Sequence, residues 1–163
     1  VARHDGSWTH MDKAFKRAEG LLENWMKEHH DKDCYPPTII NITDGEYNGT
    51  SHDEMQQLAN QLKSMFTNDG NVLLFNIHVV PEHAESVVFP ATVDELNGNG
   101  YGKKLYEMSS LLPLNYNEQI RNIFGDKQAD IRYHAMGVNT GMERLVKMMK
   151  IGTLSRMLAN QNP

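Results

Sequence analysis

Apolar residues recur between residues 11 and 30 at Met11, Ala14, Phe15, Ala18, Leu21, Leu22, Trp25 and Met26. That spacing makes one helical face with a 3.6-residue period. Thr9 and Asp12 form a Thr-x-x-Asp start signal, which makes Thr9 the expected N-cap. After the polar tract Glu28–Asp33 and Tyr35-Pro36-Pro37, the pattern changes to Thr38-Ile39-Ile40-Asn41-Ile42-Thr43, an apolar and β-branched run. Such a run suits a strand buried on both faces. Ser51 and Glu54 open a second helix with its face at Met55, Leu58, Ala59, Leu62, Met65 and Phe66, ended by Asn68-Asp69-Gly70. Residues 71–80 (NVLLFNIHVV) read as a further apolar strand, ended by Pro81.

Residues 82–104 are irregular and rich in Gly, Asn and Glu. Short helices are expected over 103–112 and 117–124, a third strand over 131–137, and a last helix over 139–150 with Met142, Leu145, Val146 and Met149 on one face. Helices and strands thus alternate. The pattern predicts an α/β fold: a doubly wound, mostly parallel sheet with helices on both faces. The expected layout is one domain over residues 1–163, with entry residues 1–10, an α/β core over 11–153 and a C-terminal tail over 154–163.

Composition narrows this little. The 163 residues are 39% hydrophobic and 23% charged, as in an ordinary globular protein. A net charge of −5, from 16 basic and 21 acidic residues, gives no reason to expect nucleic acid. One cysteine, Cys34, leaves no internal disulfide and fits a reducing compartment. There is no apolar run near membrane-span length and no leader-like stretch, so a cytoplasmic location is expected. The chain begins at Val1 and not at Met, which reads as a fragment or processed product.

The candidate chemistry lies where the first strand stops on Thr43-Asp44-Gly45-Glu46. Gly45 permits a sharp turn and leaves Asp44 just past the strand's C-terminal end, the edge where open parallel sheets bind ligands. In a right-handed crossover, helix N-termini share that edge. Thr9 opens the helix before this strand, so Thr9 and Asp44 are expected to converge across 35 positions. A hydroxyl and a carboxylate suit Mg²⁺ or Mn²⁺, which take oxygen ligands in octahedral geometry.

Each of these residues also has a plainer reading. Asp-Gly is commonly just a turn, and Thr9 as an N-cap contributes about 1 kcal/mol without any metal. Glu46 is expected to face solvent. Eight histidines invite zinc, yet no His-x-x-x-His or His-Glu-x-x-His spacing occurs. His29-His30 suits a helix C-terminus, and His78 reads as a core histidine. The ten methionines read as core fillers and Cys34 as inert. Asn97–Gly102 lacks the Gly-Lys-Ser/Thr of a phosphate loop.

Gly6-Ser7-Trp8-Thr9-His10-Met11 with its helix, Ile39–Glu46, residues 70–80, Phe89-Pro90, residues 105–113 (LYEMSSLLP) and 150–153 (KIGT) together resemble a von Willebrand factor type A (VWA) domain of the stand-alone bacterial kind. The resemblance implies a Rossmann-like sheet whose C-terminal edge carries a metal-ion-dependent adhesion site (MIDAS) for Mg²⁺. It places Thr9 and Asp44 as metal ligands, with Ser7, His10, Gly45 and Glu46 on the ligand-binding rim. The family's remaining loop, Asp-x-Ser-x-Ser after a first strand, is not found. Asp5-Gly6-Ser7-Trp8-Thr9 has a similar form, but Val1–His4 is too short and polar to be that strand. The expectation is therefore an N-terminally incomplete domain, with a sheet edge open to pairing with another chain.

The implied function is divalent-cation-dependent protein binding, in which a partner's Asp or Glu completes the coordination of Mg²⁺. Loops 45–52 and 82–102 would select that partner. No nucleophile has an adjacent base, so the chain is not expected to be an enzyme. The rival reading is a metal-dependent hydrolase or phosphotransfer enzyme using Asp44 with His52, His78 or His83. A third is an interaction domain that holds no metal.

Overall fold

The computed structural model describes residues 10–29, 32–80, 85–96 and 100–153. Helix α1 (Met11–His29) buries Met11, Phe15 and Leu22 and half-buries Ala18 and Met26, while Ala14 and Leu21 face outward. Its contact stripe is therefore narrower than the apolar pattern suggests. Asp12 in the first turn and Lys27 and His29 in the last complement the helix dipole. Thr9, the expected cap, lies outside the described residues.

Strand β1 (Thr38–Thr43) follows, then helix α2 (His52–Ser64). The expected start of α2 is present in full: Ser51 Oγ accepts from Glu54 N at 3.2 Å, and Glu54 Oε2 accepts from Ser51 N at 2.9 Å. Its end differs from expectation. Met65 is extended (φ −66°, ψ 142°), so the helix stops at Ser64. Strands β2 (Phe66–Thr67) and β3 (Gly70–Asn71) form a small antiparallel hairpin, with Asn68-Asp69 as its turn and Phe66 71% exposed.

Strand β4 (Leu73–His78) is buried at all six positions. The stretch read as irregular holds strand β5 (Val87–Val88) and a single 3-10 turn at Val93–Leu96, and helix α3 spans Gly100–Met108. Helix α4 covers Asn117–Phe124 as expected. The third expected strand shortens to β6 (Met136–Val138), and helix α5 runs from Met142 to Gly152.

The main sheet has the order β1-β4-β6-β5. β1 pairs parallel with β4, and β4 with β6, while β5 joins β6 antiparallel. The α/β class and the mostly parallel sheet stand. Among the described residues the sheet has four strands instead of three because Val87 and Val88 find partners in Val138 and Gly137. A second correction concerns β1, which was expected to be buried on both faces. Among the described residues it is an edge strand, half-buried at five of its six positions, with Ile42 56% exposed.

Alternation along β4 divides the core. Leu74 joins Met11, Phe15, Met55, Ala59, Leu62, Leu105 and Met108 of α1, α2 and α3 on one face. Leu73, Phe75 and Ile77 join Leu112, Ile120, Met148 and Ile151 on the other, under α4 and α5. Helices thus cover both faces. In α5, however, Met148 and Ile151 are buried, whereas Met142, Val146 and Met149 are exposed. The stripe rotates because Gly152 lets the end of the helix close on β1 and β4. A Cβ there would lie 3.1 Å from the Phe75 ring and from Thr38 Cγ2.

Candidate functional site

Three parallel strands end on one edge, and their ends are tied together. Val79 N donates to Thr43 O at 2.8 Å, and Asn139 N donates to His78 O at 2.9 Å. Asn139, held at φ 45°, also accepts from Val80 N through Oδ1 at 2.7 Å. Asp44 stands on this edge, immediately past β1. The Thr43-Asp44-Gly45 turn is organised by short bonds: Thr43 Oγ1 accepts from Gly45 N at 3.0 Å, and Asp44 Oδ1 accepts from Glu46 N at 3.2 Å.

The turn is anchored from below by His78, the last residue of β4. Its Nε2–H donates to the Asp44 carbonyl at 2.8 Å, since a carbonyl oxygen only accepts. His78 is 2% exposed, and its Nδ1 is buried without a hydrogen-bond partner among the described residues. His78 is thus a core histidine as expected, but satisfied on one nitrogen only. Gly45 is wedged against it at φ +88°, where a Cβ would lie 2.8 Å from His78 Nε2 and 2.7 Å from Tyr101 Cβ. Only glycine fits there, on both conformational and spatial grounds.

The Asp44 carboxylate is exposed, with Oδ1 engaged in its own turn. Glu46 faces solvent, as read from the sequence. His10, at the entry to α1, lies beside the loop that follows β1: a Cβ on Gly49 would sit 3.4 Å from His10 Cε1. The entry to α1 and the Asp44 loop therefore share one edge. His10 Nδ1 is 3.8 Å from Asp12 Oδ1. Of the six candidate residues, Asp44, Gly45, Glu46 and His10 are brought into this region. Thr9 and Ser7 lie outside the described residues.

Asp44 fits a single place in an oxygen-ligand set, being an exposed hard carboxylate on a rigid turn. Among the described residues no group of three or more His, Cys, Asp or Glu is placed to hold a metal ion. Of the histidines named in the rival reading, His52 has both ring nitrogens engaged and His78 has one. His52 bonds Tyr47 through Nδ1 and Glu107 through Nε2, and His78 holds a main-chain carbonyl. His83 lies outside the described residues. The clefts of about 420 Å³ beside Trp25 and Cys34 and about 430 Å³ beside Glu95 and Arg144 do not include Asp44.

Sequence reasoning missed the surroundings of Tyr47. Its phenol is half-buried, and burial pushes its pKa up, with further contributions from Tyr101 and Glu107. The Lys104 ammonium lies 5.6 Å from the centre of the Tyr47 ring and 5.2 Å from that of Tyr101. No described helix is long and apolar enough to cross a membrane. Compared with known proteins, the chain matches no family model, no curated protein and no solved structure.

Proposed function

We propose that this chain is a VWA-like domain that binds another protein through a divalent cation, Mg²⁺ or Mn²⁺, and does no chemistry itself. What carries the reading is the position of Asp44: an exposed carboxylate on a glycine-locked turn at the C-terminal edge of the sheet, beside the entry to α1. Asp44 and Thr9 would hold the ion through carboxylate and hydroxyl oxygens, with Ser7, His10, Gly45 and Glu46 forming the rim. A bound ion supplies one strong oxygen contact for a partner's Asp or Glu.

The protein's own part is orientation. His78 fixes the Asp44 carbonyl, the Thr43 hydroxyl fixes the Gly45 amide, and the Asp44 side chain is steadied by Glu46 N. Exposure of the carboxylate favours recognition of a protein surface over a reaction in a closed pocket. The outer edge of β1 offers a further contact for a second chain. A cytoplasmic location fits the single free cysteine.

Calorimetric titration of Mg²⁺ and Mn²⁺ tests this, with Asp44→Ala and Thr9→Ala as controls. The expected result is a saturable heat in the wild type that Asp44→Ala abolishes and Thr9→Ala weakens. Equal heats in wild type and Asp44→Ala would overturn the proposal.

A further inference from the structure

The loop that carries Asp44 is tied down at both ends. His78 holds its start through the Asp44 carbonyl, and the Ser51–Glu54 capping box holds its finish. Between them Thr50 Oγ1 donates to Glu54 Oε2 at 2.8 Å, and Tyr47 makes the bond that continues to α3. Its Oη lies 2.9 Å from His52 Nδ1, and His52 Nε2 lies 2.8 Å from Glu107 Oε2 on α3, 55 positions further along.

The donors in this chain of bonds follow from chemistry. An ionised carboxylate only accepts, so Nε2 carries the hydrogen facing Glu107. In that tautomer Nδ1 carries the lone pair, and the Tyr47 hydroxyl donates to it. Burial keeps that phenol protonated, in agreement with its role as donor. One imidazole therefore satisfies a group on each side. Around it, Gln56 Nε2 donates to the Glu107 carbonyl at 3.2 Å, and Lys104 lies over the faces of Tyr47 and Tyr101. Tyr47, His52 and Glu107 thus form a three-residue path from the loop through α2 to α3.

We propose that Tyr47, His52 and Glu107 form a latch that clamps the Asp44-bearing loop onto α3, and that His52 is a positioning residue for the cation site. The second half rests on the function proposed above, whereas the first does not. A carboxylate on a loose loop must be ordered when it binds, and the latch meets that ordering cost during folding instead.

Amide hydrogen exchange tests the latch directly. His52→Phe keeps the ring's approximate shape and removes both bonds, and Tyr47→Phe removes one. The expected result is about tenfold faster exchange at Gly45 and Glu46 in His52→Phe, the factor that about 1.4 kcal/mol of lost hydrogen bonding produces. Tyr47→Phe should give a smaller increase, with β4 amides unchanged in both. Unchanged exchange at Gly45 and Glu46, or equal acceleration in β4, would overturn the latch. Mn²⁺ titration of the same variants tests positioning: affinity should fall in His52→Phe and partly recover in His52→Gln. Equal affinity in wild type and His52→Phe would overturn the positioning role. If the wild type bound no Mn²⁺, the functional proposal and the positioning role would fail together, and exchange would still decide the latch.

Discussion

Replacing Gly45 with alanine should be among the most damaging single-methyl changes in this protein. Two penalties meet at that position. The backbone is left-handed at φ +88°, which costs an L-residue about 1 kcal/mol. The added Cβ would lie 2.7 Å from Tyr101 Cβ and 2.8 Å from His78 Nε2, inside van der Waals contact with both. Overpacking of this kind costs about 1–3 kcal/mol. Moving the imidazole aside also breaks its bond to the Asp44 carbonyl, worth about 1 kcal/mol, and leaves a buried ring with no partner among the described residues. The sum is about 3–5 kcal/mol. With a urea slope of about 2 kcal/mol/M, the unfolding midpoint should fall by about 1.5–2.5 M. Gly49→Ala is the control, because its φ of +81° is similar but its nearest neighbour, His10 Cε1, is 3.4 Å from the added carbon. It should lose only about 0.5 M. Equal losses in the two variants would refute the spatial half of the reasoning and leave backbone conformation as the whole cost.

Four other changes test other parts of the structure. Asn117 is 2% exposed and its amide donates to the carbonyls of Ala129 at 2.8 Å and Ile131 at 2.6 Å, so Asn117→Leu should cost about 2–3 kcal/mol in denaturant unfolding. Gly20 on α1 has open space where a Cβ would go, so Gly20→Ala should stabilise by about 0.5–1 kcal/mol, while Gly152→Ala, with a Cβ 3.1 Å from Phe75 and Thr38, should destabilise. His134 is held below its ordinary 6.5 by burial first, with the Lys63 charge adding and a bond to the Tyr106 carbonyl opposing. The unfolded chain therefore binds the extra proton first, and stability is lost as pH falls from 6.5 towards the folded value. Lys63→Met should move the His134 titration, followed by NMR, back towards 6.5; no movement would deny the coupling.

The fold was legible where apolar periodicity is carried by several residues in one element. α2 announces itself with Ser51 and Glu54, and α4 falls on the expected residues because Asn117–Phe124 is a self-contained amphipathic turn sequence. The elements that were missed depend on partners distant in sequence. Val87-Val88 has no strand pattern of its own and becomes β5 only because Val138 and Gly137 lie beside it. The inner face of α5 is chosen by how closely Gly152 can approach Phe75, which no periodicity within 139–150 encodes.

The site divides in the same way. Asp44-Gly45 is a local signal, readable because a turn after an apolar run has few other meanings, and the structure adds why glycine is required there. The Tyr47–His52–Glu107 path could not be read, since its members have no mutual spacing and meet only when α2 and α3 pack. Asn41 and Asn76 make the point most sharply. Each looks like a blemish in an apolar strand, yet the register of β1 on β4 sets them opposite one another. Asn41 Nδ2 donates to Asn76 Oδ1 at 2.8 Å, and Asn76 in turn donates to Leu105 O at 3.1 Å and Ser109 Oγ at 3.0 Å. A fully buried amide with every partner in place ties β1, β4 and α3 together directly beneath the edge that carries Asp44. A one-residue slip of β1 would break all of that network's inter-strand pairing and exchange the faces of Ile39 and Ile40, which pack on the two sides of the sheet. The two asparagines therefore specify the register, and through it the place where the Asp44 turn emerges.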